Sequence, residues 1–180
     1  YAVEQEKVLQ KPVSEFSWYE FLILLSPEVK SDSMYNLISA GVLDYTGISR
    51  KTQLHEYNIF SSLSGGDMKW IKEHWNCCDN LASLLDVYLN NGAEKRRISK
   101  IHSLLSSLEN PGRNLEDDID YICDTETEVL GVSVSKSKTA SKARMANIKC
   151  IDFLLGKGSK NLTFVVEIKD VDERIIKSGP

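Results

Sequence analysis

Three groups of residues in this sequence have types and spacings suited to work on a phosphodiester. The first is Gly41-Val42-Leu43-Asp44-Tyr45-Thr46-Gly47, followed by Ser49, Arg50 and Lys51. Two glycines bound a tight connection between helical stretches. Backbone N–H groups of the turn, and of the first turn of the next helix, can then converge on one phosphate without a lysine cluster. A contact of that kind reads no base. Ser49 is placed to cap the second helix, and Arg50 and Lys51 bring charge to the same phosphate although they oppose the helix dipole there. The second group is Asp152 with Glu167-Ile168-Lys169. Such a carboxylate pair holds Mg²⁺, and the lysine stabilises charge or positions a water. On a strand, Glu167 and Lys169 are also the ordinary polar alternation opposite Val166 and Ile168. The third group is Asp124-Thr125-Glu126. Two-metal exonuclease chemistry needs further carboxylates well downstream, and the remaining residues do not supply that pattern. The acidic run 116–120 just before it reads as a solvated helix face.

The elements that must position these residues follow from hydrophobic period and punctuation. Residues 2–10 read as a short helix closed by Pro12, and Ser14 or Ser17 caps a second, 16–25. Ser26-Pro27-Glu28 breaks it. Ser31 or Asp32 then caps 34–40, where Met34, Leu37 and Ile38 fall on one face, and Gly41 ends that helix. A helix over 50–63 carries Leu54, Tyr57 and Phe60 and is stopped by Gly65-Gly66. Helices over 68–75, 81–89, 93–108 and 115–130 follow. From Gly131 the texture changes, and 162–168 and 171–176 are rich in Val and Ile as strands are. The expected fold is mainly α: a helical body over 1–132 containing the helix–hairpin–helix, a basic linker over 133–146, and the opening strands of a β domain over 147–180.

Charge divides the same way. Residues 1–132 carry 12 Lys and Arg against 21 Asp and Glu, whereas residues 133–160 carry seven against one. An acidic body with a short basic stretch excludes a uniformly basic nucleic-acid binder and points to a local anionic contact. Lys95-Arg96-Arg97 with Lys100 forms a smaller basic cluster at a helix start, either a solvated face or a phosphate contact. No apolar run is long enough for a membrane span, and no signal peptide is readable. Both ends read as cut, so the chain is expected to be part of a longer one. The four cysteines, Cys77, Cys78, Cys123 and Cys150, show no C-x-x-C pair and read as reduced thiols, mostly in cores. Trp18, Trp70 and Trp75 read as core anchors ahead of base-stacking platforms.

Leu37-Ile38-Ser39-Ala40-Gly41, Leu43-Asp44, Gly47 and Arg50 resemble the helix–hairpin–helix of the bacterial DNA polymerase III alpha subunit, a C-family replicative DNA polymerase. That family carries L-I-x-A-G-A-L-D-x-x-G-x-x-R at this spacing. A second segment, 126–135, is similar to the family's E-K-E-x-L-G-x-x-x-S, and 162–179 resembles the first strands of its OB domain. Lys136-Ser137-Lys138-Thr139 stands where the family has His-Pro soon after, and no Q-x-x-[LM]-F clamp-binding peptide occurs. A phage-encoded or divergent polymerase fits these departures.

The resemblance implies a fragment of a DNA-directed DNA polymerase, a cytoplasmic nucleotidyltransferase of a bacterial or phage-infected cell. It implies no catalytic residue, no metal ligand and no cofactor on this fragment; the carboxylates and Mg²⁺ of polymerisation belong to upstream parts of the parent. The implied partners are duplex DNA, held through Gly41, Val42, Gly47, Ser49, Arg50 and Lys51, single strands through the OB-like part, and other polymerase domains and replisome subunits, with no membrane. The alternative is a metal-dependent nuclease resembling the PD-(D/E)xK class, using Asp152, Glu167 and Lys169.

Overall fold

Seven helices follow one another in the described part of the chain, five of them opened by a side-chain cap. The structure, a computed structural model, describes residues 12–136. Ser17 opens α1 (Trp18–Glu20) with a capping box: its hydroxyl accepts from the Glu20 N–H, and the Glu20 carboxylate accepts from the Ser17 N–H at 2.8 Å. The helix continues as a π-turn over Phe21–Leu25 and a 3₁₀ turn over Ser26–Glu28. Phe21, Leu22 and Ile23 are consecutive and all buried in this stretch, which is enclosed on most of its sides. The Ser26 hydroxyl donates to the Leu22 carbonyl at 2.6 Å inside this turn.

Next come α2 (Ser31–Ser39), α3 (Arg50–Ser61), α4 (Gly65–His74), α5 (Leu81–Asn91), α6 (Ile98–Glu109) and α7 (Ile119–Leu130). The π-turn packs on α4, α4 on α5, α5 on α6, α6 on α3, α3 on α2, and α2 on α7. The elements share one core, with Leu22, Ile23, Met34, Ile38, Ile71, Leu84, Leu85 and Ile101 fully enclosed. Trp18 lies in this core, while Trp70 and Trp75 are partly buried against it, in line with anchoring roles. Cys123 is buried on α7; Cys77 is exposed, departing from the expected core thiol.

The mainly helical expectation matches the described residues, which contain no strand. Several boundaries differ for identifiable reasons. Gly65-Gly66 starts α4 and does not stop α3, because Ser64 and Asp67 form a second capping box there. Neither Ser31 nor Asp32 caps α2, which begins at Ser31 after Lys30 without a side-chain cap. The helix expected from residue 115 begins at Ile119, where the Asp118 carboxylate accepts from the Tyr121 N–H at 2.8 Å. The expected helix 2–10, most of the basic linker, the OB-like strands of 147–180, and Asp152, Glu167 and Lys169 lie outside the described residues. Among the described residues, no helix is long and apolar enough to cross a membrane.

Candidate nucleic-acid interface

The hairpin is built from the end of α2. Gly41 has φ +76°, its N–H donates to the Ile38 carbonyl at 3.0 Å, and the Val42 N–H reaches back to the Leu37 carbonyl at 3.1 Å. This pairing closes a helix through a left-handed residue, which glycine adopts without steric cost. Leu43 turns inward and is almost fully buried, anchoring the loop to the core. Asp44–Thr46 forms a 3₁₀ turn, and Gly47, at φ +73°, sends its N–H to the Asp44 carbonyl at 3.1 Å. Gln53, fully buried on α3, gathers the loop from below: its amide nitrogen lies 3.0 to 3.1 Å from the carbonyls of Leu43 and Ile48 and from the Thr46 hydroxyl.

Arg50, the first residue of α3, is 1% exposed. Its Nε and Nη2 grip Asp44 at 3.0 and 2.7 Å, Nη2 also reaches Glu126 at 2.8 Å, and Nη1 donates to the Ser39 carbonyl at 2.9 Å. Two carboxylates face one guanidinium, but Asp44 is 45% exposed, so water solvates the surplus charge. The other oxygen of Glu126 accepts from the Val134 and Ser135 N–H groups at 2.6 and 2.9 Å and from the Ser133 hydroxyl at 3.1 Å. Burial alone would push Glu126 up. The hydrogen bonds from Ser135, Arg50 and Val134 outweigh it and hold the carboxyl down at about 2. The same pairing with Asp44 raises Arg50 further above its already high ordinary value.

The first turn of α3 has its own anion. The Asp117 carboxylate accepts from the Arg50 N–H at 2.7 Å and from the Lys51 N–H at 3.1 Å. Ser49 accepts from the Thr52 N–H at 3.2 Å and also meets the Leu115 carbonyl and the Thr52 hydroxyl. The Lys51 ammonium bonds the Glu116 carbonyl at 2.9 Å and Asp118 at 3.0 Å and lies over the Tyr121 ring, 4.6 Å from its centre.

Sequence reasoning assigns these donors to a phosphate; in the structure each of them has a partner within the chain. Gly41, Val42, Gly47, Ser49, Arg50 and Lys51 are brought together, but the Arg50 side chain faces inward. The N–H groups of Gly41, Val42, Gly47, Arg50 and Lys51 all donate within the chain. The physical reason is the dipole argument itself: the end of α3 favours an anion, and the segment before α7 supplies one. Besides Asp44, the side chains the hairpin exposes are those of Val42, Tyr45 and Ile48. Asp44, Asp117 and Glu126 complete this site, and the sequence reading does not place them in it. For Asp44 and Glu126 a signal existed, since both belong to the motifs of the resemblance; Asp117 carried none.

Asp124 and Glu126 fall on opposite sides of α7, one exposed and one buried, so they cannot share a metal pair. Among the described residues no group of His, Cys, Asp and Glu can hold a metal ion. No protein family, curated protein or solved structure matches the chain.

Proposed function

We propose that this chain is a non-catalytic, DNA-contacting region of a DNA polymerase III alpha-like, C-family DNA-directed DNA polymerase, and that it holds duplex backbone without reading sequence. One observation carries the reading. The two segments whose motifs resemble that family meet in one buried cluster, where Arg50 of the first bonds Glu126 of the second across 76 residues. Two chance likenesses would give no reason for their defining residues to bond each other.

The phosphate seat in this reading is the N-terminal turn of α3, and a phosphate and the Asp117 carboxylate compete for the same two N–H groups. Duplex affinity is therefore weak, salt-sensitive and indifferent to sequence. Fluorescence anisotropy with short duplexes in low salt tests it. Asp117→Asn, which keeps the side-chain length and removes the competing charge, is expected to bind more tightly, and Lys51→Glu more weakly. No duplex binding by either the native chain or Asp117→Asn removes the reading. A second reading, a spacer that joins polymerase modules, is favoured by the internal use of the hairpin N–H groups, and it predicts the absence of duplex binding.

A further inference from the structure

A cavity of about 620 Å³ opens where the first turn of α4, the end of α5 and the turn leading to α6 come together. Its size suits a nucleotide-sized ligand. Trp70 forms one wall. His74 lies parallel on it with ring centres 3.9 Å apart, and Tyr88 leans on it at 4.9 Å. With both neighbours in place, the indole offers its edge. Among the described residues its Nε1–H has no hydrogen-bond acceptor. Gly92 makes room for this edge: a β-carbon there would fall 2.5 Å from Trp70 Nε1 and 2.9 Å from Tyr88 Cδ2.

The carboxylates of the wall are already engaged. Asp67, 2% exposed, accepts from the Ser64 N–H, from the Tyr88 hydroxyl at 2.6 Å and from Arg97. Glu94 pairs with Arg96 through its Nε at 2.6 Å. Donors are in surplus: Arg97 Nε is enclosed with no acceptor, and Arg96 stands 81% exposed at the rim. Gly66, in the first turn of α4, adds the positive end of that helix. A space with spare donors and neutralised acceptors favours a compact multivalent anion over a cation or an apolar guest.

We propose that this cavity binds the phosphate group of a nucleotide or of a nucleic-acid strand end, with its oxygens on Arg96, Arg97 and the Trp70 indole N–H. The basic cluster Lys95-Arg96-Arg97, ambiguous in sequence, thereby gains a ligand. None of Gly41–Lys51 or Asp117 takes part, so the site stands apart from the hairpin reading.

The test is a ¹⁵N-correlation titration of the whole chain. Its three tryptophans give three indole signals, and Trp70→Phe assigns the one that matters. The ligands are inorganic phosphate, a deoxynucleoside 5′-monophosphate, and one short single strand carrying either a 5′-phosphate or a 5′-hydroxyl. The Trp70 signal is expected to shift saturably with the phosphorylated ligands. Arg96→Gln should weaken binding about tenfold, the scale of one charge-assisted hydrogen bond, and its exposure makes the substitution harmless to the fold. Gly92→Ala should abolish the shift by driving the indole into the cavity. A response to the 5′-phosphate strand above the free monophosphate identifies a strand end as the ligand, and the converse identifies a free nucleotide; both support the site. A Trp70 signal unmoved by every ligand overturns the proposal, as does a shift that persists undiminished in Arg96→Gln or with the 5′-hydroxyl strand. Asp117→Asn should leave this titration unchanged, so its outcome and that of the duplex assay are read separately.

Discussion

Gly41 and Arg50 occupy each other's space: a β-carbon on Gly41 would come within 2.8 Å of the Arg50 Cζ and of the Asp44 carboxylate that Arg50 holds. The absence of a side chain at Gly41 is therefore a condition for the buried ion pair as well as for the left-handed turn. Gly41→Ala should cost about 3 kcal/mol or more, combining backbone strain with displacement of a buried guanidinium. Gly47 has nearly the same φ, but a β-carbon there would meet nothing within 4 Å, so Gly47→Ala should cost about 1 kcal/mol. Urea denaturation of the two variants checks the contrast; equal losses would show that the close approach at Gly41 contributes nothing.

Breaking the Arg50–Glu126 pair from one side strands a charge in a site where Arg50 and Glu126 are 1% and 0% exposed. Arg50→Met or Glu126→Gln alone should lower stability by about 3–5 kcal/mol, and the double variant should recover part of that loss. Asp44→Asn should cost less, because Asp44 is half solvated. A double-mutant cycle in chemical denaturation measures the coupling, and strict additivity would mean that the pair is not coupled.

The acid response of the clasp has a definite sign. Glu126 is held down at about 2 in the folded chain, against about 4.3 in an unfolded one. Its contribution is fully present above the unfolded value and is lost as pH falls through the folded one. Stability should therefore decline between about pH 4.5 and pH 2, and Glu126→Gln should remove part of that slope. Unfolding midpoints measured across this window decide it.

Asp117 caps a helix to which it is remote in sequence. Asp117→Ala should destabilise the chain by about 1 kcal/mol, the usual scale for a lost N-cap interaction. Amide hydrogen exchange should quicken at Arg50 and Lys51, whose N–H groups it accepts. Unchanged exchange at those two amides would show that the cap is dispensable.

How much of this was legible in the sequence depended on whether the cause was local. Gly41 as a helix end, Ser17 and Ser49 as caps and the apolar faces of α2 and α3 are set by neighbours a few residues away, and they were readable. Ser64 and Asp67 form an equally local capping box, but the glycine pair between them carries the stronger signal and mimics a helix stop. The inward turn of Arg50 has nearby partners in Asp44 and Ser39, but its closure over Glu126 was not readable, because only the fold delivers that carboxylate. The same holds for Asp117, which lies in a plain acidic run, and for the cavity, whose Asp67–Tyr88 and Asp67–Arg97 contacts cross helices.

Cys123 sits one turn before Glu126 on α7, buried at 3% exposure with its thiol free. That placement gives the chain an internal clock for the opening of α7. With Cys77, Cys78 and Cys150 replaced by serine, the buried thiol is alkylated only when this part of α7 opens to solvent. The labelling rate then measures how often the buried charge cluster comes apart under native conditions, without any denaturant.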